Sequence, residues 1–392
     1  MIITISWVAY MVVSICRFSV APLAPFIVDE LRFSHAEIGL LTSAVWLAYV
    51  VCGVPGGLLV DRFGIRFSTA LGVGVAGTST MLFVGVSTVI EGFTYRFISG
   101  LGSILTLLTT TVAVIVWFSS RERATMMGLK QTGVNIGGIL AGLLLPSLAI
   151  YYSWRAGFLV SGGLGVIVSI FAFLFIRELP QRSKIAETQM PTGKPIGSTL
   201  RNRDIVLVSV SAIPIAWAEQ AGISFVVLFL AEAHLIDVVT GGILLSLLLG
   251  SGAVARVVLG IVSDRVLRGR RKNTFLLCYV LTGIFSVMIA YTPLGTPLWM
   301  LAILMAFWGF VAVGWGGLYL TLIGELAGAE STGLAAGFGN LFVCMGAMAG
   351  PPIFGFIVDV TGSYPIAWDV VGILCLASIP LIRLVREERK RL

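Results

Sequence analysis

Apolar runs of about 20 residues or more follow one another along this chain, separated by short bursts of charge. A run of that length crosses the hydrocarbon of a bilayer as a helix, because a helix satisfies every backbone N–H and C=O from within. The pattern predicts twelve such helices, near residues 3–27, 36–60, 67–88, 91–117, 123–150, 154–177, 203–232, 238–264, 272–293, 296–324, 330–360 and 363–385. The one long polar stretch, 178–202, is rich in Arg, Lys, Gln, Thr, Pro and Gly and reads as a flexible connector. The expected fold is all-α and integral to a membrane, with domains at 1–177 and 203–392 joined by the connector 178–202.

The polar breaks repeat. Gly-Leu-Leu-Val-Asp-Arg-Phe-Gly-Ile-Arg at 57–66 is echoed by Gly-Ile-Val-Ser-Asp-Arg-Val-Leu-Arg-Gly-Arg-Arg at 260–271. Each stands where an apolar run ends, so two six-helix bundles related by pseudo-symmetry are expected. Lys and Arg collect in alternate breaks: Arg62, Arg66, Arg121, Arg123, the connector, 265–272 and the tail 383–391. The remaining breaks hold Arg32 and Arg155 beside the acids Asp29, Glu30, Glu37, Glu232 and Asp237. Positive charge favours the cytoplasmic side, so the first set of breaks and both termini are expected there, in a multi-pass protein of the cell membrane. Met1 leads at once into the first apolar run, without a basic leader or a small-residue cleavage site, so that run is read as a retained helix.

Composition narrows the class. The chain is 57% hydrophobic and 11% charged, where a soluble domain carries about 25% charged residues. Its net charge of +7 sits in the breaks rather than along one face, which argues against a nucleic-acid partner. The 46 glycines suit helices that pack backbone to backbone. All 5 cysteines lie within apolar runs, with neither metal-ligand spacing nor a disulfide framework. The chain has 2 His and no phosphate-cradling Gly-rich loop with its Lys. Neither an enzyme nor an ATP-driven pump is expected, and no cofactor or metal; a monomer is.

The two echoed loops resemble the signature that the major facilitator superfamily carries in its cytoplasmic loops 2–3 and 8–9. Arg96-Phe97-Ile98-Ser99-Gly100-Leu101-Gly102 is similar to the family's RxxxGxG pattern of helix four. Gly337, Gly346, Gly350, Pro351 and Gly355 resemble the glycine-proline spacing of its antiporters. That spacing belongs in helix five, whereas here it falls in helix eleven, and helix five, which carries Gly128 and Gly137 among its glycines, has no Gly-Pro pair. The resemblance implies secondary transport by alternating access, and the departure in helix five counts against an efflux antiporter. Asp61 with Arg62, and Asp264 with Arg265, are then expected to gate the conformational change. A carboxylate at a helix end pairs with a nearby Arg or caps backbone N–H groups, and a plain structural cap is the overlapping role.

Five ionisable residues remain at membrane depth: Arg17, Arg96, Lys130, Glu219 and Arg256. Each costs at least about 2.5–3.5 kcal/mol at a helix centre on insertion scales. Four cations against one acid leave the interior at a nominal +3, which an anion would relieve. Arg17 lies about 15 Å from the outer end of its helix and Arg256 about 12 Å from the inner end of its own. One guanidinium in each half is thus placed to grip a carboxylate bidentately. Similar placements occur in the oxalate/formate, monocarboxylate, nitrate and organophosphate branches of the superfamily. The rival partners for both Arg are helix carbonyls or Glu219. Glu219, beside Gln220, is the expected proton-coupling group, or else a static ion-pair partner. Arg96 is either structural within its motif or linked to the proton. Lys130 either reaches for the headgroups or lines the inner vestibule. Gln131, Asn135, Gln220 and Asn340 supply hydrogen bonds to substrate or between helices. Trp46 with Tyr49, and Trp315 with Tyr319, occupy corresponding places in the two halves, each pair on one helix face, and are expected to flank a small substrate.

These readings predict uptake of a small organic anion, monocarboxylate-like, with proton symport. The partners are that anion, protons and the lipid bilayer. The alternatives are an inorganic anion such as nitrate or cyanate, since Gly337-Phe338-Gly339-Asn340 resembles the nitrate branch, proton-coupled efflux of amphipathic compounds, and a sensor on the same fold.

Overall fold

The computed structural model describes residues 2–119, 122–176, 201–267, 270–328 and 331–386, apart from the side chain of Ala124. Arg121, most of the expected connector, Arg268 and Gly269 of the basic cluster and the end of the tail lie outside the described residues. Among those described the fold is all-α, and 11 helices are long and apolar enough to cross a membrane. The protein is a multi-pass integral membrane protein.

The order begins with α1 (Ile2–Phe18), α2 (Val20–Leu31), α3 (His35–Leu82), α4 (Val89–Trp117), α5 (Arg123–Tyr151) and α6 (Trp154–Phe175). It continues with α7 (Arg203–His234), α8 (Val238–Ile261), a π-helical turn at Val262–Val266 and α9 (Arg271–Ala290). Last come α10 (Leu298–Gly314), α11 (Gly316–Ala327), α12 (Thr332–Thr361), α13 (Tyr364–Ala377) and α14 (Ile379–Arg383).

Several of these are pieces of one span. α1 and α2 part at Ser19, three residues before Pro22, whose ring has no N–H to give Phe18 and crowds its carbonyl. α10 and α11 part at Trp315. α3 has 48 residues, about 72 Å as a straight helix, more than twice the ~30 Å of hydrocarbon. It is two helices in series, divided at Gly64, whose φ of 82° and ψ of 174° no L-residue adopts without strain. The expected helices 36–60 and 67–88 fall on either side of that glycine.

Helix starts follow local chemistry. Ser34 Oγ accepts from the Glu37 N–H at 3.2 Å while Glu37 accepts from the Ser34 N–H at 2.7 Å, and Thr88 and Glu91 repeat the arrangement for α4. Asp237 starts α8 by accepting from the Thr240 N–H at 2.9 Å.

The described helices form two compact units, one drawn from Met1–Thr188 with Ile223–Ser246, the other from Gln189–Gly222 with Leu247–Leu392. In the first, small residues bring backbones together. A Cβ on Gly102 of α4 would stand 2.4 Å from the Gly72 carbonyl oxygen of α3, and one on Gly137 of α5 would stand 2.3 Å from the Met11 carbonyl oxygen of α1. The later segment joins this unit by the same means: a Cβ on Gly242 would lie 2.2 Å from the Gly142 carbonyl oxygen. Ser246 Oγ donates to the Ile139 carbonyl at 3.0 Å, and His35 pairs with Glu232 at 2.9 Å. The compact grouping therefore cuts through α7 and α8, where the sequence repeat places its boundary ahead of α7.

The second unit is built around Trp308, which meets Trp368 edge-on at 5.5 Å and donates to Ser286 at 2.9 Å; Phe354 packs on Trp368 at 5.3 Å. Exposed side chains such as Val54, Ile170, Phe171 and Ile373 form an apolar exterior suited to lipid.

Two outcomes follow from this packing. Gly102→Val forces α3 and α4 apart and lowers stability by about 1–3 kcal/mol, read as an earlier melting transition in detergent. Gly163→Val, where nothing lies within 4 Å, leaves melting unchanged. Asp237→Ala removes a cap worth about 1 kcal/mol at neutral pH. Hydrogen bonds from the Thr240 side chain and backbone hold the Asp237 carboxyl below its ordinary 3.8. That contribution is whole above pH 3.8 and fades as pH falls through the lowered value, so wild type and variant melt alike at the acid extreme.

Candidate functional site

In the first unit a buried guanidinium stands beside the α1–α2 break. Arg96 of α4 is 1% exposed and spends its guanidinium on that break. Its Nη1 donates to the Cys16 carbonyl at 2.7 Å and to Ser19 Oγ at 3.4 Å, and its Nη2 donates to the Arg17 carbonyl. Ser19 Oγ also donates to the Cys16 carbonyl, at 2.8 Å. Of the two roles open to Arg96, this geometry favours the structural one.

Arg17 makes a different set of contacts. Its guanidinium lies 4.5 Å from the Phe18 ring and 5.5 Å from the Trp46 ring, and Nη1 donates to Tyr49 Oη at 3.4 Å. Its Nε is buried without a hydrogen-bond partner. Among the described residues no carboxylate pairs with it. Trp46 and Tyr49, their rings 5.3 Å apart, stand beside Arg17, and Phe18, which reads in the sequence as core, joins them.

Lys130 is 1% exposed, so its stem does not run to a headgroup. It donates to Thr111 Oγ1 at 2.9 Å and lies 4.5 Å from the Tyr10 ring centroid. Gln131 and Asn135, four apart on a neighbouring face of α5, are exposed and half-buried respectively.

In the second unit, Glu219 of α7 accepts from Trp315 Nε1 at 2.9 Å. Trp315 sits at the α10–α11 junction, and Tyr319 meets it edge-on at 5.4 Å. Both are 2% exposed, with Phe275 about 6 Å from each ring. They form a buried wall that holds the carboxylate. Gln220 is buried at the next position. Arg256 of α8 is half-buried, its Nε is buried without a partner, and no carboxylate pairs with it among the described residues. Within the second unit, Glu219 and Arg256 form no ion pair among the described residues. Asn340 is exposed on α12 and reaches only the Cys344 sulfur, at 3.7 Å.

The loop residues separate. Asp61 and Arg62 are exposed near Gly64, with Arg62 5.4 Å from the Phe63 ring. Asp264, in the π-helical turn, pairs with Arg271 rather than with its neighbour Arg265. Arg271 also donates to Ser263 Oγ at 3.1 Å and approaches Glu325 of α11 at 3.7 Å. This clasp of α9 and α11 involves two residues, Arg271 and Glu325, that the loop signature alone did not pair.

Replacing Glu219 separates its bond from its charge. Glu219→Gln keeps an acceptor for the Trp315 indole and melts like wild type. Glu219→Leu orphans a buried donor at a cost of about 1–3 kcal/mol, measured as a lower melting temperature and altered tryptophan emission.

The sequence profile described as Major Facilitator Superfamily matches residues 6–351 and 208–392. The chain is 25% identical to the hexuronate transporter of Bacillus subtilis (strain 168), over 94% of this chain and 90% of that protein. It is 24% identical to the probable galactarate/D-glucarate transporter GudP of the same organism, over 92% and 88%. Its fold is similar to that of a bacterial homolog of the human lysosomal transporter Spinster in an inward-facing, occupied conformation. The TM-score is 0.81 at 17% identity, covering 98% of this chain and 96% of that one.

Proposed function

Since this chain belongs to the major facilitator superfamily and is a membrane-embedded, non-catalytic transport protein, we propose that it imports a small organic anion of the monocarboxylate kind by alternating access, with a proton as co-substrate. The observation that carries the reading is the state of two guanidinium groups. Arg17 in one unit and Arg256 in the other each bury an Nε without a partner and lack a paired carboxylate among the described residues. In a low-dielectric interior such a group is stabilised by an incoming carboxylate far more than it would be in water. The named cargoes of the two relatives are likewise organic acids.

In this reading α3 crosses twice, for twelve crossings in two bundles, and both termini are cytoplasmic. Trp46 and Tyr49 shape the anion site around Arg17, and Gln131, Asn135, Gln220 and Asn340 offer neutral hydrogen bonds. Glu219 takes the proton on Oε1, which leaves Oε2 to go on accepting from Trp315. The Asp264, Arg271 and Glu325 clasp, with Asp61, Arg62 and Arg265, acts in gating.

The first test is thermal stabilisation of the purified protein by glucuronate, lactate, nitrate and ethidium, because a ligand of the folded form raises its stability by mass action. A carboxylate is expected to stabilise. Stabilisation by nitrate alone or ethidium alone would replace the organic-acid reading. In proteoliposomes, Arg17→Ala and Arg256→Ala each lower uptake of the stabilising acid about 30-fold or more, the equivalent of ~2 kcal/mol for a desolvated ionic contact. Glu219→Gln retains binding but loses its response to an imposed pH gradient. Unchanged uptake in both Arg variants would sink the proposal.

A further inference from the structure

The lipid-facing exterior of the first unit is not uniform: the part of α3 beyond Gly64 and α6 leave a groove of about 610 Å³ between them. Its cause is a contrast in side-chain size. The two helices touch through small residues, since a Cβ on Gly77 would stand 2.7 Å from the Gly162 carbonyl oxygen and one on Gly74 2.8 Å from Ser169 Oγ. Ser169 Oγ ties the floor together by donating to the Ala70 carbonyl at 2.6 Å. Large exposed side chains rise on either side, Phe67 and Leu71 from α3 and Ile170, Phe173 and Leu174 from α6. A floor of small residues between tall apolar walls suits a slender apolar chain.

The length of the groove matches one leaflet. Phe67 and Thr78 are its first and last lining residues on α3, about 16 Å apart at ~1.5 Å per residue. Half of a ~30 Å hydrocarbon layer is about 15 Å. An extended chain gains roughly 1.2 Å per bond, so about 13 bonds of an acyl tail occupy it.

The lining carries no charge, and one end of it opens on two cations. Arg66 lies 4.5 Å from the Phe173 ring, and its Nε donates to the Phe173 carbonyl. Arg62 lies 5.4 Å from the Phe63 ring, which meets the Phe67 ring at 5.5 Å. Each guanidinium is thus seated on rings that lead into one wall, Phe173 on α6 and Phe67 on α3. A guanidinium has five N–H donors, so a carbonyl and a phosphate oxygen can share one. Asp61 is the acid of this turn, and residues 61–66 keep a formal charge of +1 from Arg62 and Arg66 against it.

We propose that this groove holds one tail of an anionic phospholipid, whose phosphate is received by Arg62 and Arg66. An apolar channel one leaflet long, with two cations at one end, fits a molecule that joins an acyl tail to a negative head. A neutral lipid matches the channel alone, and a second copy of this chain offers no such pairing of tail and charge. The site lies on the lipid side of the first unit, apart from Arg17 and its rings, and does not depend on the anion-transport reading.

Native mass spectrometry of the full-length protein, stripped of lipid in a nonionic detergent, tests it with dioleoyl phosphatidylglycerol against dioleoyl phosphatidylcholine. One phosphatidylglycerol is expected to bind per chain about tenfold more tightly than phosphatidylcholine, a preference within the reach of two basic residues. Arg62→Gln combined with Arg66→Gln erases that preference and leaves phosphatidylcholine within twofold, while the paired Lys substitutions retain most of it. Thr78→Trp fills the far end of the groove, so it weakens both lipids together about fivefold and keeps their ratio. Equal binding of the two lipids by wild type, or a preference that survives the double Gln variant, overturns the proposal. So does indifference to Thr78→Trp, because the tail then lies elsewhere, and so does a run of adducts that never saturates. A dimer that Thr78→Trp dissociates would give the groove to a second copy instead. Should the double Gln variant not fold, the wild-type ratio, its retention in the Lys pair and the response to Thr78→Trp decide the matter.

Discussion

A cation buried in apolar surroundings must be answered by something, and the first unit answers three of them in three ways. Moving an ion from water to such an interior costs several kcal/mol even after relaxation. Arg96 meets that cost with two backbone carbonyls and a hydroxyl. Lys130 meets it with a hydroxyl and the face of a tyrosine. Arg17 has two ring faces and one long bond to Tyr49, and its Nε, like that of Arg96, is buried with nothing to receive it. The three differ in how many polar partners they have, and on the proposed reading Arg17, with the weakest set, gains most from a visiting carboxylate. The arrangement needs all three in one unit, since the clamp that Arg96 makes on α1 is what holds the Arg17 backbone still.

The second unit uses a different device at a comparable place. There the broken span is α10–α11, and the residue at the break is Trp315. Its indole binds a carboxylate where the first unit's break binds a guanidinium. The junction residues Ser19 and Trp315 keep helical dihedrals, and each break has a polar side chain beside it. In one unit that partnership stabilises a cation, and in the other it orients an acid.

The spans were legible because lipid imposes an absolute length and forbids unpaired backbone, conditions that leave a plain trace in composition. The interior charges were legible for the same reason. Partner choice was not. Asp264 lies beside Arg265 in sequence, yet the π-helical turn swings it toward Arg271, and nothing local to the loop encodes that extra residue per turn. Tyr10 and Phe18 read as ordinary core, and only the close approach of α5 through Gly133 and Gly137 makes a cation platform of Tyr10. Compactness was hidden as well: Ile223–Ser246 groups with the first unit through the mutual approach of Gly142 and Gly242, two glycines 100 residues apart that carry no mark of each other.

The separate duties of Arg96 and Arg17 bear on how such a chain diversifies. One arginine answers to the backbone and the other, on the proposed reading, to whatever arrives, although both stand at the same bend of α1. If Arg17 is the anion contact proposed above, a lineage that alters position 17 changes its diet and inherits the scaffold, whereas one that alters position 96 unsettles the bend before any new cargo can be tried. Selectivity is free to drift here while architecture stays put.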